Sequence, residues 1–274
     1  MPMRARVVAL HPHPTPLPFD AEWEDAAFGA VATIDMDTED PEGLRSSLLA
    51  EGVSGGVITG PLTDSPARLV MCDVDSTLTT TEAIDLIAEH AGTAGKVAAI
   101  TEQAMRGELD FEASLRQRVA TLAGVPVSVM DEVLPRMTLS PGARDLVSTL
   151  QGAGVRVGVT SGGFTCLVGP LAEELGLDFF NANHLEVRDG HLTGQVTGTV
   201  VDRGQKARDL TAFAAAHGLP LELTVAVGDG ANDLAMLATA GLGVAYCAKP
   251  VTAVQADAVI SFPRLDAVLP LALN

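Results

Sequence analysis

Aromatic side chains are scarce in this chain: one Trp, one Tyr and eight Phe, 4% of 274 residues. A core must then be built mainly from Ala, Val and Leu, and an apolar content of 47% is enough to build one, which argues against global disorder. Basic residues are also few, with 17 Lys and Arg against 35 Asp and Glu, a formal charge of −18. That balance argues against nucleic acid or an anionic membrane surface as partner. It repels small anions at long range too, so any phosphate site must be made locally positive by a metal ion, a Lys or an Arg. Cysteine is limited to Cys72, Cys166 and Cys247, with no CxxC pair. An odd, scattered count fits a reducing compartment better than a disulfide scaffold. No apolar run is long enough to span a bilayer. The stretch Val7 to Leu10 is too short for a signal-peptide core. A soluble, cytoplasmic protein is expected.

Residues 1–65 read as a small α+β unit. A strand is expected from Phe28 to Ile34, a helix from Pro41 to Ala50 with Asp40 as N-cap, and a strand from Val53 to Ile58. The stretch from Leu62 to Pro66 reads as a linker. Nothing in this unit points to chemistry. His11-Pro12-His13 offers two imidazoles but no further ligand, so it reads as a solvated Pro-rich loop.

The main domain, residues 66–274, opens with the apolar strand Ala67 to Cys72. Four helical patterns follow with no strand between them, at about 80–91, 94–106, 110–122 and 127–135. They read as a helical cap inserted over about 80–138. Strand–helix alternation then resumes. A helix runs from Pro141 to Gly152 with Ser140 as its cap, a strand from Val155 to Thr160, and a helix from Phe164 to Leu175. Phe179 to Asn181 is a short strand, and 186–200 a hairpin turning at Asp189-Gly190. A helix at 205–217, a strand at 223–227, a helix at 234–240 and strands at 242–245 and 258–260 complete the pattern. The expected fold class is α/β, a Rossmann-like core with a parallel sheet covered on both faces.

Chemistry-bearing residues fall where these elements begin or end. Asp73 and Asp75 end the first strand, at the edge where open α/β sheets bind their ligands. Two acids that close are costly unless a cation is bound or one keeps its proton. Ser161-Gly162-Gly163 follows a strand, Lys206 starts a helix, and Gly228-Asp229-Gly230-Ala231-Asn232-Asp233 follows another strand. Each alone has a bland reading: an Asx turn, a glycine turn, a solvated lysine, a helix cap.

Together, Asp-x-Asp-x-Thr, Ser-Gly-Gly, Lys and Gly-Asp-Gly-x-Asn-Asp, in that order, resemble the four motifs of the haloacid dehalogenase-type phosphohydrolases. The resemblance covers about residues 67–261. Residues 1–65 resemble at most a reduced form of the ACT-like regulatory units of some relatives. The resemblance implies Asp73 as nucleophile, since a carboxylate can form an aspartyl-phosphate and split hydrolysis into two steps. It implies Asp75 as general acid and then base. Magnesium is the implied cofactor, held by Asp73, Asp229 and the backbone carbonyl of Asp75, with Asp233 supporting the metal shell or Lys206. Ser161, the Gly162 N–H and Lys206 would hold phosphoryl oxygens, and Asn232 the substrate side.

The cap sequence, from Glu82 through Thr101–Phe111 to Ser114–Val119, resembles the branch of that family acting on phosphoserine. Glu82 would pair the substrate ammonium, and Arg118 would fork onto its carboxylate. Phe111, Leu115 and Arg118 fall on one helix face, and Met105 would close over the stem. Without the resemblance, Phe111 and Leu115 read as cap core, and Glu82 and Arg118 as surface charges. The implied activity is hydrolysis of O-phospho-L-serine, the last step of serine biosynthesis. The alternative is a phosphatase or phosphotransferase acting on another small phosphomonoester. A homodimer is compatible with this reading. Cys72 reads as packing, and Asp202, Arg203 and Asp209 as solvated neighbours of Lys206, with Asp202 able to cap that helix.

Overall fold

The computed structural model describes residues 3–10, 21–26, 28–36 and 41–273. His11-Pro12-His13 and Asp40 lie outside the described residues. The strands are β1 (Met3–Leu10), β2 (Glu24–Ala26), β3 (Gly29–Met36), β4 (Ser54–Ile58), β5 (Leu69–Cys72), β6 (Arg156–Phe164), β7 (Phe179–Arg188), β8 (His191–Thr197), β9 (Thr224–Gly228), β10 (Leu242–Tyr246) and β11 (Ala258–Ile260). They form one sheet in the order β2-β3-β1-β4-β11-β10-β9-β5-β6-β7-β8. From β11 to β7 all neighbours run parallel. The central strands are continuous apolar runs, and every residue of β5, β9 and β10 is buried, as a sheet covered on both faces requires.

Strand β5 is the switch point of this sheet. The chain next enters β6 on one side of it, and β9 lies on the other. Side chains at the C-terminal ends of β5, β6 and β9 therefore meet in one crevice. Helices α1 (Pro41–Ala50), α2 (Ala83–His90), α3 (Ala94–Met105), α4 (Phe111–Ala120) and α5 (Val129–Val133) come first in the chain. Of these, α2 to α5 all lie between β5 and β6 and form the cap. The chain enters and leaves the cap side by side. Thr79 bridges Leu139, Thr80 N–H donates to Thr138 O at 2.8 Å, and Ser140 N–H donates to Leu78 O at 2.9 Å. Helices α6 (Ala143–Gly152), α7 (Thr165–Leu175), α8 (Arg203–Ala216) and α9 (Leu234–Thr239) belong to the α/β alternation. No helix among the described residues is long and apolar enough to cross a membrane.

The N-terminal strands continue the same sheet. β4 pairs antiparallel with β11, and β1 pairs antiparallel with β4 and β3. Glycine permits the junction: a Cβ at Gly56 would sit 2.5 Å from Ala258 Cβ, and Gly55 has φ +137° with its Cβ position 1.9 Å from Val8 O. Strand β1 had no counterpart in the sequence reading. Its buried Arg6 donates to the carbonyls of Pro270 at 2.7 Å, Leu273 at 3.0 Å, Leu271 at 3.2 Å and Leu62 at 3.3 Å. A cation at the carbonyl end of the last helical turn, Leu269–Ala272, also suits the backbone dipoles there.

Three expectations need correction. Ser140 does not cap α6: its hydroxyl donates to Thr77 O at 2.6 Å, and the N-cap position is Gly142 at φ +81°. β6 runs on through Ser161-Gly162-Gly163, because after a register shift Phe164 pairs with Asn183. β7 runs to Arg188, well past Asn181, and forms the expected hairpin with β8 about Asp189-Gly190. Both turn residues have positive φ, 50° and 75°, the twist a two-residue hairpin prefers.

Candidate active site

The turn after β5 sets the site. Asp73 N–H still donates to Val227 O of β9 at 2.9 Å, so this residue is held like a strand member. The chain then curls through one wide turn, in which Leu78 N–H donates to Asp73 O and Thr79 N–H to Val74 O. Ser76 occupies the left-handed region at φ 59°, a strained position for a residue with a Cβ. Its hydroxyl donates to Glu82 Oε1 at 2.9 Å, joining the turn to the residue just before α2.

Lys206 is fully buried and lies between two buried acids, 2.7 Å from Asp73 Oδ1 and 2.6 Å from Asp233 Oδ1. Burial opposes its charge, but Asp233 and Asp73 more than offset that and hold the ammonium above its ordinary pKa. Asp73 is pushed well above the usual carboxylate range by burial and then by the charge of Asp233, with Lys206 pulling the other way. Asp75 accepts from Ala83 N–H at 3.1 Å. Withdrawal from water, and then the charge of Glu82, push its carboxyl up to about 7. The backbone of Gly163 lies against it: a Cβ there would come within 3.0 Å of Asp75 Oδ2 and 3.1 Å of Ser161 Oγ.

Carboxylate oxygens of Asp73, Asp229 and Asp233 lie within 4.8 Å of one another. Asp229 is raised to about 6 by burial and then by Asp233 and Glu82. Three acids face one ammonium, and the shortfall of positive charge suits a hard divalent cation, which prefers oxygen donors. Both oxygens of Asp233 are already engaged, one with Lys206 and the other with Gly230 N–H at 3.0 Å. That supports a bracing role for Asp233 beside Asp73 and Asp229.

Asp73, Asp75, Ser161, Gly162, Lys206, Asp229 and Asp233 thus gather at one crevice. Asn232 is half-buried and folds back over Gly230, whose Cβ position lies 2.2 Å from Asn232 Oδ1. From the cap, Phe111 lays its ring on Gly162, where a Cβ would come within 3.1 Å of Phe111 Cζ. Arg118 is half-buried with its Nε buried and unpartnered, and it faces the charges of Glu82, Asp85 and Asp75. Burial lowers its pKa. Leu115, 1% exposed, belongs to the buried apolar cluster against which Phe111 packs, as cap core does. The side chain of Met105 lies outside what the structure describes. Cys72 is buried packing, its thiol pushed up to about 12 by burial and then by Asp73 and Asp233.

Two further polar residues belong to this region: Asn183, which the sequence reading did not single out, and Asp209, expected as a solvated neighbour of Lys206. Asn183 is buried; its Nδ2 donates to Gly162 O at 2.8 Å, and its Oδ1 accepts from Val201 N–H at 2.9 Å. Asp209 is buried and hydrogen-bonded, not solvated as expected. The spacing of Asn181 and Asn183, two apart on one strand face, is the signal that could have pointed to Asn183. Asp202 caps α8, its Oδ1 accepting from Gln205 N–H at 2.7 Å.

Residues 70–238 match the haloacid dehalogenase-like hydrolases, and the chain belongs to that family. The particular relatives are phosphoserine phosphatases. The one from Streptomyces coelicolor is 55% identical over 234 residues, covering 84% of this chain and 57% of the relative. The chain therefore spans little more than half the length of that protein. The one from Streptococcus thermophilus is 51% identical over 203 residues, 74% of this chain and 94% of the relative. A solved phospho-aspartyl intermediate analogue of phosphoserine phosphatase superposes with a TM-score of 0.72 at 42% identity, covering 77% of this chain and 100% of that one.

Proposed function

We propose that this chain is a magnesium-dependent phosphatase that converts O-phospho-L-serine to L-serine and phosphate, closing the route to serine in the cytoplasm. The observation that carries the reading is the pairing of Asp73 with a fully buried Lys206, beside Asp75 raised to about 7. A carboxylate fixed by a cation can attack, and an acid that keeps its proton near neutrality can donate.

In the first step an Asp73 oxygen bonds to phosphorus as the bond to the serine oxygen breaks. Asp75 gives its proton to that oxygen, so serine leaves as the alcohol. In the second step Asp75 takes a proton from water, which attacks the aspartyl-phosphate and frees Asp73. Lys206, the Ser161 hydroxyl and the Gly162 N–H bind the phosphoryl oxygens. Asp73, Asp229 and the Asp75 backbone carbonyl would hold the magnesium, with Asp233 bracing, and the ion would supply positive charge to the phosphoryl group. Glu82 pairs the substrate ammonium and Arg118 its carboxylate, an assignment that gives the unpartnered Arg118 Nε an acceptor. Phe111 walls the phosphate side, Asn232 borders the substrate, and Met105 closes over the stem by resemblance alone.

The test is turnover of phosphoserine by wild type and Asp73→Asn, with and without magnesium, together with acid-quench trapping of phosphoenzyme. Wild type should turn over and label only with the metal, and the variant should do neither. Normal turnover by Asp73→Asn would overturn the mechanism.

A further inference from the structure

Helix α8 carries Lys206, yet its first two turns bury no apolar side chain. The buried residues of α8 are Lys206, Asp209, Leu210, Phe213 and Ala214, so the apolar anchors all lie beyond the functional turn. Asp209, 6% exposed, holds the near end. Its Oδ2 accepts from Thr160 Oγ1 at 2.6 Å and from Asn181 Nδ2 at 2.8 Å. Its Oδ1 accepts from Gln205 Nε2 at 2.7 Å. Thr160 is the residue before Ser161, and Gln205 the residue before Lys206. One carboxylate thus ties the strand that delivers the Ser161-Gly162 phosphate cradle to the helix turn that delivers the ammonium. Three donors aimed at a buried carboxylate satisfy it in this place only, which fixes the separation of the two halves.

We infer that Asp209 is a positioning residue, acting through Lys206 and Ser161-Gly162 on the phosphoryl group. The inference rests on the phosphatase reading. A misplacement of about 1 Å in such a cradle is enough to cost roughly 100-fold in rate, so loss of the tether should register at the phosphate.

The experiment compares wild type, Asp209→Leu and Asp209→Asn in magnesium buffer. It measures kcat and KM for phosphoserine and for p-nitrophenyl phosphate, the affinity for inorganic phosphate by calorimetry, and Tm. Asp209→Leu should lower kcat on both compounds about tenfold or more and weaken phosphate binding similarly. Asp209→Asn keeps an oxygen for Thr160 and Asn181 and should recover most of both. If Asp209→Leu does not fold, Thr160→Val removes one of the three bonds and should lower kcat about threefold. A folded Asp209→Leu, or failing that Thr160→Val, with wild-type kcat and phosphate affinity and only a lower Tm overturns the inference. A wild type that cleaves p-nitrophenyl phosphate but not phosphoserine overturns the substrate reading instead, and the same variants then decide this inference on that compound.

Discussion

Lys206 Nζ lies 2.7 Å from Asp73 Oδ1, and solvent reaches almost nothing of either side chain. Removing the lysine would strand Asp73, Asp229 and Asp233 together. Lys206→Met should therefore lower kcat roughly 100-fold or more, as loss of a preorganised charge does. It should also destabilise the metal-free protein by about 3–5 kcal/mol, as loss of one partner of a buried pair does. Magnesium should restore part of the stability and little of the rate. Thermal melts with chelator and with magnesium, beside steady-state assays, check this.

Asp75 gives a pH signature. Its folded pKa of about 7 lies above its ordinary value of 3.8, so the folded state binds the extra proton between those limits. Stability from this group is then fully present below about 4 and falls as pH rises towards 7. Asp75→Asn should raise Tm at pH 8 in metal-free buffer and change it little near pH 4. In the wild type, kcat/KM should decline above about pH 7 as the proton donor is lost. A Tm gain that is the same at both pH values would refute the assignment of the raised pKa to this carboxyl.

If Glu82 and Arg118 hold the substrate as proposed, their variants separate substrate choice from chemistry. Glu82→Ala and Arg118→Ala should each raise KM for phosphoserine, by about tenfold or more for a lost charged contact. On p-nitrophenyl phosphate, which has neither ammonium nor carboxylate, both variants should keep a wild-type KM, while Glu82→Ala should also move the alkaline limb of kcat to lower pH, because its charge helps to raise Asp75. Equal losses on the two compounds would assign these residues to the cap fold.

Arg6 is a stability residue far from the crevice. Its guanidinium serves carbonyls at 62, 270, 271 and 273. Arg6→Met should cost about 2–4 kcal/mol by leaving buried carbonyls without a donor. The folded fraction should keep wild-type kcat. Denaturant melts and assays at low temperature distinguish the two effects.

Much of the site was legible because its residues stand at strand ends and helix starts, where the order of motifs carries information. Asp73, Asp75, Lys206, Asp229 and Asp233 are all of this kind, whereas Ser161 was found by its motif although it lies within β6. Asp209 was not legible: a carboxylate between Arg208 and Leu210 on a helix reads as solvated, and its partners Thr160 and Asn181 come from two other strands. Strand β1 was hidden by Arg4 and Arg6, which break its apolar pattern, and the carbonyls that take in Arg6 are mostly more than 260 residues away. Ser140 before Pro141 is a sound local cap signal, but Gly142 at φ +81° delays the start of the helix to Ala143, and the Ser140 hydroxyl is left to donate to the Thr77 carbonyl.

The paired threads at Thr79 and Leu139 make the whole cap, in topological terms, one long loop with its ends already closed. Lengthening or recomposing such a loop adds little entropic cost, since closure depends only weakly on length. The helices that would choose the substrate can therefore diverge as a module, while the acids and the lysine on the sheet below stay where they are.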